Sequence, residues 1–186
     1  MAVQDTTTRR QLVGQLHRVG IPPENVTLVA IDKPAIAGHR TWTSLTKLAD
    51  EIKNSDTALA DDTELTVAVQ ADDILLARLC IFYDTASVPD FKFKLNSTQT
   101  ADAFDCFGYY SAPGSAVTTG FDLDSLATET SILAASGTQG SIYANIRLQN
   151  GATAALFSFQ WAQDTSDAGD TTVLAGSFLE HFVIGG

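Results

Sequence analysis

The side chains best equipped for chemistry in this sequence are three histidines, two cysteines and several groups of carboxylates. Their spacing argues against a catalytic centre. His17, His39 and His181 lie far apart, and neither HxxxH nor CxxC occurs. A zinc site needs three or four converging ligands, so all three histidines are expected to be surface or partly buried side chains. Cys80 sits inside the apolar run Ile74 to Tyr83, and Cys106 lies between Phe104 and Phe107. Buried thiols are expected there in preference to a disulfide. Carboxylates gather at Asp61-Asp62 with Glu64, at Asp72-Asp73, at Asp122 and Asp124, and at Asp164, Asp167 and Asp170. Calcium takes oxygen ligands from such loops. None follows the EF-hand order, and Asp populates turns simply by bonding local backbone groups. Paired carboxylates also hydrolyse glycosides, but no such pair is set beside an aromatic sugar platform. No G-x-S-x-G nucleophile motif or Gly-rich phosphate loop is present. No catalytic, cofactor-binding or metal-binding residue is therefore nominated, and the chain reads as non-enzymatic.

The elements that would position any site are mostly strands. Ala155, Phe157, Phe159 and Trp161 alternate with Leu156, Ser158 and Gln160, and Phe178, Phe182 and Ile184 alternate with Leu179, His181 and Val183. Period two sends successive side chains to opposite faces of a sheet. Leu65, Val67 and Val69 alternate likewise, as do Phe91, Phe93 and Leu95 around Lys92 and Lys94. Ile74 to Tyr83 is apolar on both faces except at Arg78, which suits a central strand. Phe104 to Tyr110 is aromatic and ambiguous, Phe107 with Tyr109-Tyr110 suiting either a core strand or subunit contact or a sugar-stacking patch, and Glu129 to Ala135 reads as a further strand. Ile142 to Gln149 alternates and is joined through Asn150-Gly151 to the next run, a hairpin signal. About eight strands separated by Gly/Ser/Thr/Asp loops fit a jelly-roll-like antiparallel β-sandwich. The leading segment differs. Asp5 to Val19 has a capped helical stripe through Leu12 and Leu16, closed by Gly20 and Pro22-Pro23. Val26 to Ile31 suits a short strand. From about Thr43 a second helical spacing links Trp42, Leu45, Leu48, Ala49 and Ile52, with an extended arm as its rival. The expected organisation is an N-terminal arm or docking segment, 1–58, with one or two short helices, and a β-sandwich domain, 59–186; the alternative is that the leading segment forms the first strands of a single compact domain.

Charge separates these regions. The 186 residues carry a net charge of −11. Met1 to Asp62 holds seven Lys/Arg against eight Asp/Glu, and Thr63 to Gly186 holds four against fourteen. The strand-rich part is thus strongly acidic. Nucleic-acid binding needs a basic footprint, so neither nucleic acid nor an anionic membrane is an expected partner. No apolar run approaches the ~20 residues of a membrane helix. No secretory pattern follows Met1, so synthesis in a reducing cytoplasm is expected.

One longer pattern stands out. Leu59-Ala60-Asp61-Asp62-Thr63-Glu64-Leu65-Thr66-Val67-Ala68-Val69 is followed by the apolar strand through Tyr83-Asp84 and by Pro89-Asp90-Phe91-Lys92-Phe93. Then come Phe159-Gln160-Trp161-Ala162-Gln163-Asp164-Thr165-Ser166-Asp167, Thr171-Thr172-Val173-Leu174 and Gly176-Ser177-Phe178-Leu179. In that order they resemble a β-sandwich module of tailed-bacteriophage virion proteins, over about Leu59 to Ile184. The resemblance implies a structural role, as a head decoration (cement) protein or a part of a tail or fibre, commonly as a homotrimer. It carries no catalytic residues. The implied partners are the major capsid protein and further copies of the chain. The implied location is the outside of the phage head, after synthesis in the host bacterial cytoplasm. On this expectation Arg9, Arg10, Arg18, Arg40 and Lys47 dock on an acidic shell, with Leu12, Leu16, Trp42 and Leu45 as apolar anchors. The alternative is a tail-fibre or head-fibre knob that binds a host-surface glycan through Tyr109, Tyr110 and Asp164.

Overall fold

The computed structural model describes residues 42–86, 88–113, 115, 117–126, 128–133 and 139–185. Twelve strands and no α-helix occur among them. They are β1 (Thr43–Thr46), β2 (Glu51–Lys53), β3 (Ala60–Val69), β4 (Ile74–Thr85), β5 (Phe91–Ser97) and β6 (Ala101–Ser111). Then follow β7 (Thr118–Leu123), β8 (Thr130–Ile132), β9 (Gly140–Asn150), β10 (Ala155–Ala162), β11 (Thr171–Val173) and β12 (Phe178–Ile184). All pairings are antiparallel.

The large sheet runs β1-β12-β4-β9-β6-β7, with β11 beside β4 and β2 beside β11; the small sheet runs β3-β10-β5-β8. Setting aside β2, β11 and the β6–β7 hairpin leaves eight strands. In chain order, the first, eighth, third and sixth make one sheet, and the second, seventh, fourth and fifth make the other. This is the wiring of a jelly roll. The β6–β7 hairpin is an insertion between the fourth and fifth of those strands, laid against β9 to widen the large sheet.

The core lies between the two inner faces. Leu65, Val67, Phe91, Phe93, Phe157, Phe159 and Trp161 of the small sheet meet Leu75, Leu79, Ile81, Tyr83, Ile142, Ile146 and Leu148 of the large one. Phe91 stacks between Tyr83 and Trp161, with ring centroids 4.4 and 5.9 Å away. The alternation that predicts β3, β5, β9 and β10 is therefore the alternation of core and outer face. In β12 both rows are apolar. Leu179 faces the core, while Phe178, Phe182 and Ile184 share the outer face with Cys80, Leu76 and Ile74, their partners on β4.

Two expectations need correcting. The helical spacing from Thr43 does not make a helix: β1 pairs with β12 and β2 with β11. Strands of four and three residues gain their hydrogen bonds from the sheet, and that tertiary pairing overrides local spacing. Both strands precede residue 59 and belong to the large sheet. Asn150-Gly151 is not a hairpin turn either. β9 lies in the large sheet and β10 in the small one, so the dipeptide crosses between layers. The buried Asn150 side chain fixes this corner by donating to the carbonyls of Gln70 and Thr153 at 2.7 and 2.9 Å. The helix expected at Asp5 to Val19 and the strand at Val26 to Ile31 lie outside the described residues.

Candidate functional site

The carboxylate groups are mostly engaged in holding the fold. Lys47 is buried, and its ammonium donates to Asp62 Oδ2 and Glu51 Oε2 at 2.8 Å each, with Glu64 at 3.6 Å. Burial alone would lower its pKa; the hydrogen bonds and charges of Asp62 and Glu51 outweigh that and hold it above the ordinary lysine value. Burial would raise the Glu51 carboxyl, but Lys47 and Thr63 hold it below the usual range. Lys47 N donates to Ser177 O, and Lys47 O accepts from Gly176 N. This lysine, expected to dock on a partner, is instead an internal tie between β1, β3 and the turn before β12.

The other groups are similarly occupied. Asp73 accepts the Gln70 amide in the β3–β4 corner at 3.0 Å. Asp164 accepts Ser131 Oγ at 2.9 Å, Asp167 caps the Gly169 amide at 2.7 Å, and Asp170 accepts from Asn54 at 3.0 Å. Asp122 and Asp124 lie at the end of β7 and just beyond it. No group of three or more His, Cys, Asp or Glu able to hold a metal occurs among the described residues. Cys80 and Cys106 are free, buried thiols. Burial raises both, Cys106 to about 12 with a further push from Asp122, so neither is a ready nucleophile. His181 is half-buried on β12, and burial lowers its pKa.

The expected glycan trio is not assembled. Tyr109 projects from the outer face of β6, whereas Tyr110, one residue on, packs against the core. Asp164 is beside β8 of the small sheet. Of the expected docking residues, Leu45 packs partly into the core and Trp42 is exposed. Arg9, Arg10, Leu12, Leu16, Arg18 and Arg40 lie outside the described residues, as do His17 and His39.

What the structure does assemble is an aromatic outer face on the large sheet. Register sets its rows. Phe178, Cys80, Tyr143 and Tyr109 align across β12, β4, β9 and β6. Glu180, Arg78, Asn145 and Phe107 form the next row, and Phe182, Leu76, Arg147 and Asp105 the third. Trp42, just before β1, lies over Phe182 with centroids 6.1 Å apart, and the Arg78 guanidinium sits 4.9 Å from the Trp42 ring centre. Tyr109 and Tyr143 stack at 5.2 Å. The Tyr143 phenol is pushed up to about 12, first by its hydrogen bond with Cys80. Arg147 pairs with Asp105 at 3.0 Å.

Between the Trp42 and Phe107 sides runs a groove of about 370 Å³, floored by Leu76, Ala77, Asn145 and Ile146. Phe107 is 62% exposed, Tyr109 47% and Trp42 45%. With Tyr143, they are the exposed aromatic side chains among the described residues, and all four stand on this face. Contiguous exposed apolar surface of this kind marks an interaction site, and aromatic and Arg side chains are the usual anchors. The sequence points to Trp42, Phe107 and Tyr109 but not to Tyr143 or to the way the rows align. The one available signal is Arg78, which breaks an otherwise apolar strand and thereby reports that its row is wet.

Comparison of the chain with protein-family models and with curated proteins finds no match.

Proposed function

We propose that this chain is a non-enzymatic structural protein that joins a larger protein assembly through the outer face of its large sheet. One observation carries the reading: four exposed aromatics on one sheet face, interleaved with Arg78, Arg147, Asp105 and Glu180. Such a face is costly to leave in water and well suited to burial against protein. The resemblance to tailed-phage modules supports a virion as that assembly, with the chain as a capsid decoration protein on the head exterior beside the major capsid protein. In this reading the acidic remainder stays in solvent and keeps the particle soluble. The test is capture by purified phage heads that lack the chain, scored by co-sedimentation and copy number. Saturable binding in hundreds of copies per head, weakened at least tenfold by Phe107→Asp, is the expected result. Equal binding by that variant excludes this face as the contact.

A fibre-knob function is the second reading, favoured by the stacked, exposed Tyr109–Tyr143 pair, since sugars pack on aromatic rings. Tyr110 and Asp164 drop out of that site because the fold sends them elsewhere. Glycan-array binding that Tyr109→Ala abolishes would put this reading first.

A further inference from the structure

Resting on the proposal that the aromatic face is a protein contact, we infer that the groove between Trp42 and Phe107 receives an Asp or Glu side chain of the partner, set beside a large apolar one, and that Arg78 is the residue that recognises the carboxylate. Arg78 is exposed and lines the groove. Lys47, Lys92 and Arg147 each reach a carboxylate within 4.0 Å, but Arg78 takes part in none of the ion pairs among the described residues. That holds although Glu180 is its direct neighbour on β12. The guanidinium lies over the Trp42 ring instead, 4.9 Å from its centre. Stacking on an indole fixes the guanidinium plane and leaves the N–H donors at its edge free. A fork held in this way matches a carboxylate through two parallel hydrogen bonds.

The remainder of the groove supplies the apolar half of the site. Leu76, Ala77 and Ile146 lie along its floor, and the Trp42 and Phe107 rings stand at its sides. Its volume of about 370 Å³ is near the lower end for ligand sites, so it suits a short segment better than a flat surface. Two Arg and one Asp line it, and Arg147 and Asp105 pair with each other at 3.0 Å. Arg78 therefore leaves the lining with one net positive charge, in a chain whose net charge is −11.

These features select among occupants. A basic segment meets Arg78 as a like charge. A wholly apolar segment buries the guanidinium without an acceptor, which is costly. An acidic side chain next to a large apolar one satisfies both halves of the groove. Trp and Arg are also the residue types that concentrate binding energy in a small contact.

Two measurements test this, the first on the full chain alone. Acetyl-Leu-Glu-Leu-amide and acetyl-Leu-Gln-Leu-amide are each titrated to millimolar concentration while NMR follows the Trp42 indole N–H. The glutamate peptide should shift that signal at a concentration at least tenfold lower than the glutamine peptide. Arg78→Gln should abolish the preference, and Arg78→Lys should restore only part of it. Circular dichroism checks that each variant keeps its strands. No shift with either peptide, equal potency of the two, or a preference that survives Arg78→Gln overturns the inference. The second measurement is capture by heads that lack the chain. Arg78→Gln should weaken it at least tenfold and make it less sensitive to salt, whereas Lys94→Gln, on the outer face of the small sheet, should leave it unchanged. Capture of Arg78→Gln as tight as that of the parent overturns the inference but leaves the face as the contact, which Phe107→Asp tests separately. Heads that fail to capture a parent chain still able to prefer the glutamate peptide remove the virion reading and uphold the carboxylate site.

Discussion

The two outer faces of this sandwich obey the same alternation and reach opposite ends. On the small sheet, the residues that point away from the core include Thr66, Ala68, Gln160, Lys92 and Lys94. Its polar groups are tied down locally: Ser158 and Gln160 both donate to Asp61, and Lys92 reaches Glu129 at 4.0 Å. On the large sheet the same positions hold Phe107, Tyr109, Tyr143 and Phe182. The inner faces are equally well filled, so core packing does not explain the difference. A fold needs one apolar face per sheet. A second one on the large sheet is surplus to folding, which is why it carries the functional argument.

The largest effect is expected where the two sheets are joined beside Trp42. Lys47→Met leaves Asp62, Glu51 and Glu64 clustered without their cation, and breaking a buried pair this way costs about 3–5 kcal/mol. Thermal unfolding should show the loss, and the Trp42 side of the aromatic face should loosen with it. In the parent the two groups with shifted pKa values act in opposite pH ranges. Glu51 is held low, so its contribution is present above the ordinary carboxylate value and fades as pH falls through its folded pKa. Lys47 is held high, so its contribution is present below 10.5 and is lost as pH rises past its folded value.

Gly108→Ala should come next. A Cβ there would lie 2.1 Å from Tyr143 O and 2.6 Å from the Phe121 ring, so the β6–β7 hairpin must shift. The expected cost is about 1–3 kcal/mol, read by denaturant unfolding. If the aromatic face depends on that hairpin, association should weaken as well.

Lowering pH from 7.5 to 5.5 should produce a smaller loss. His181 is held below its ordinary value by burial, so the unfolded chain takes up a proton near pH 6.5 before the folded one does. Stability therefore declines as pH falls through that range, and His181→Gln should flatten the slope in a pH-resolved melt.

The smallest effect on stability sharpens the comparison most. Tyr109→Ser on the large sheet and Leu156→Ser on the small one both alter exposed side chains and should change unfolding by about 0.5 kcal/mol or less. Only the former should weaken capture by heads that lack the chain. Equal behaviour of the two would erase the distinction between the faces.

Much of the sandwich is legible in the sequence because alternation is a local property. β3, β5, β9 and β10 each show one apolar row, and each buries it. β1, β2 and β11 are too short to show a period, and their existence depends on partners far away in the chain. β12 shows two apolar rows, so nothing local says which one faces inward. The aromatic site is legible only in fragments for the same reason. Trp42 and Phe182 are neighbours through register, 140 positions apart, and no window along the chain contains both. The Asn150-Gly151 signal misleads because a turn motif reports that the chain bends, not whether the two arms stay in one sheet.

The β6–β7 hairpin leaves the chain after β5 and returns before β8, and those two strands pair with each other directly. Phe107, Tyr109 and Asp105 therefore stand on an appendage clipped to the rim of β9. Its outward letters can change while Cys106, Tyr110, Phe121 and Leu123 on its other face stay packed in the core, so what the molecule attaches to and how it holds its own shape are written at alternate positions of the same stretch.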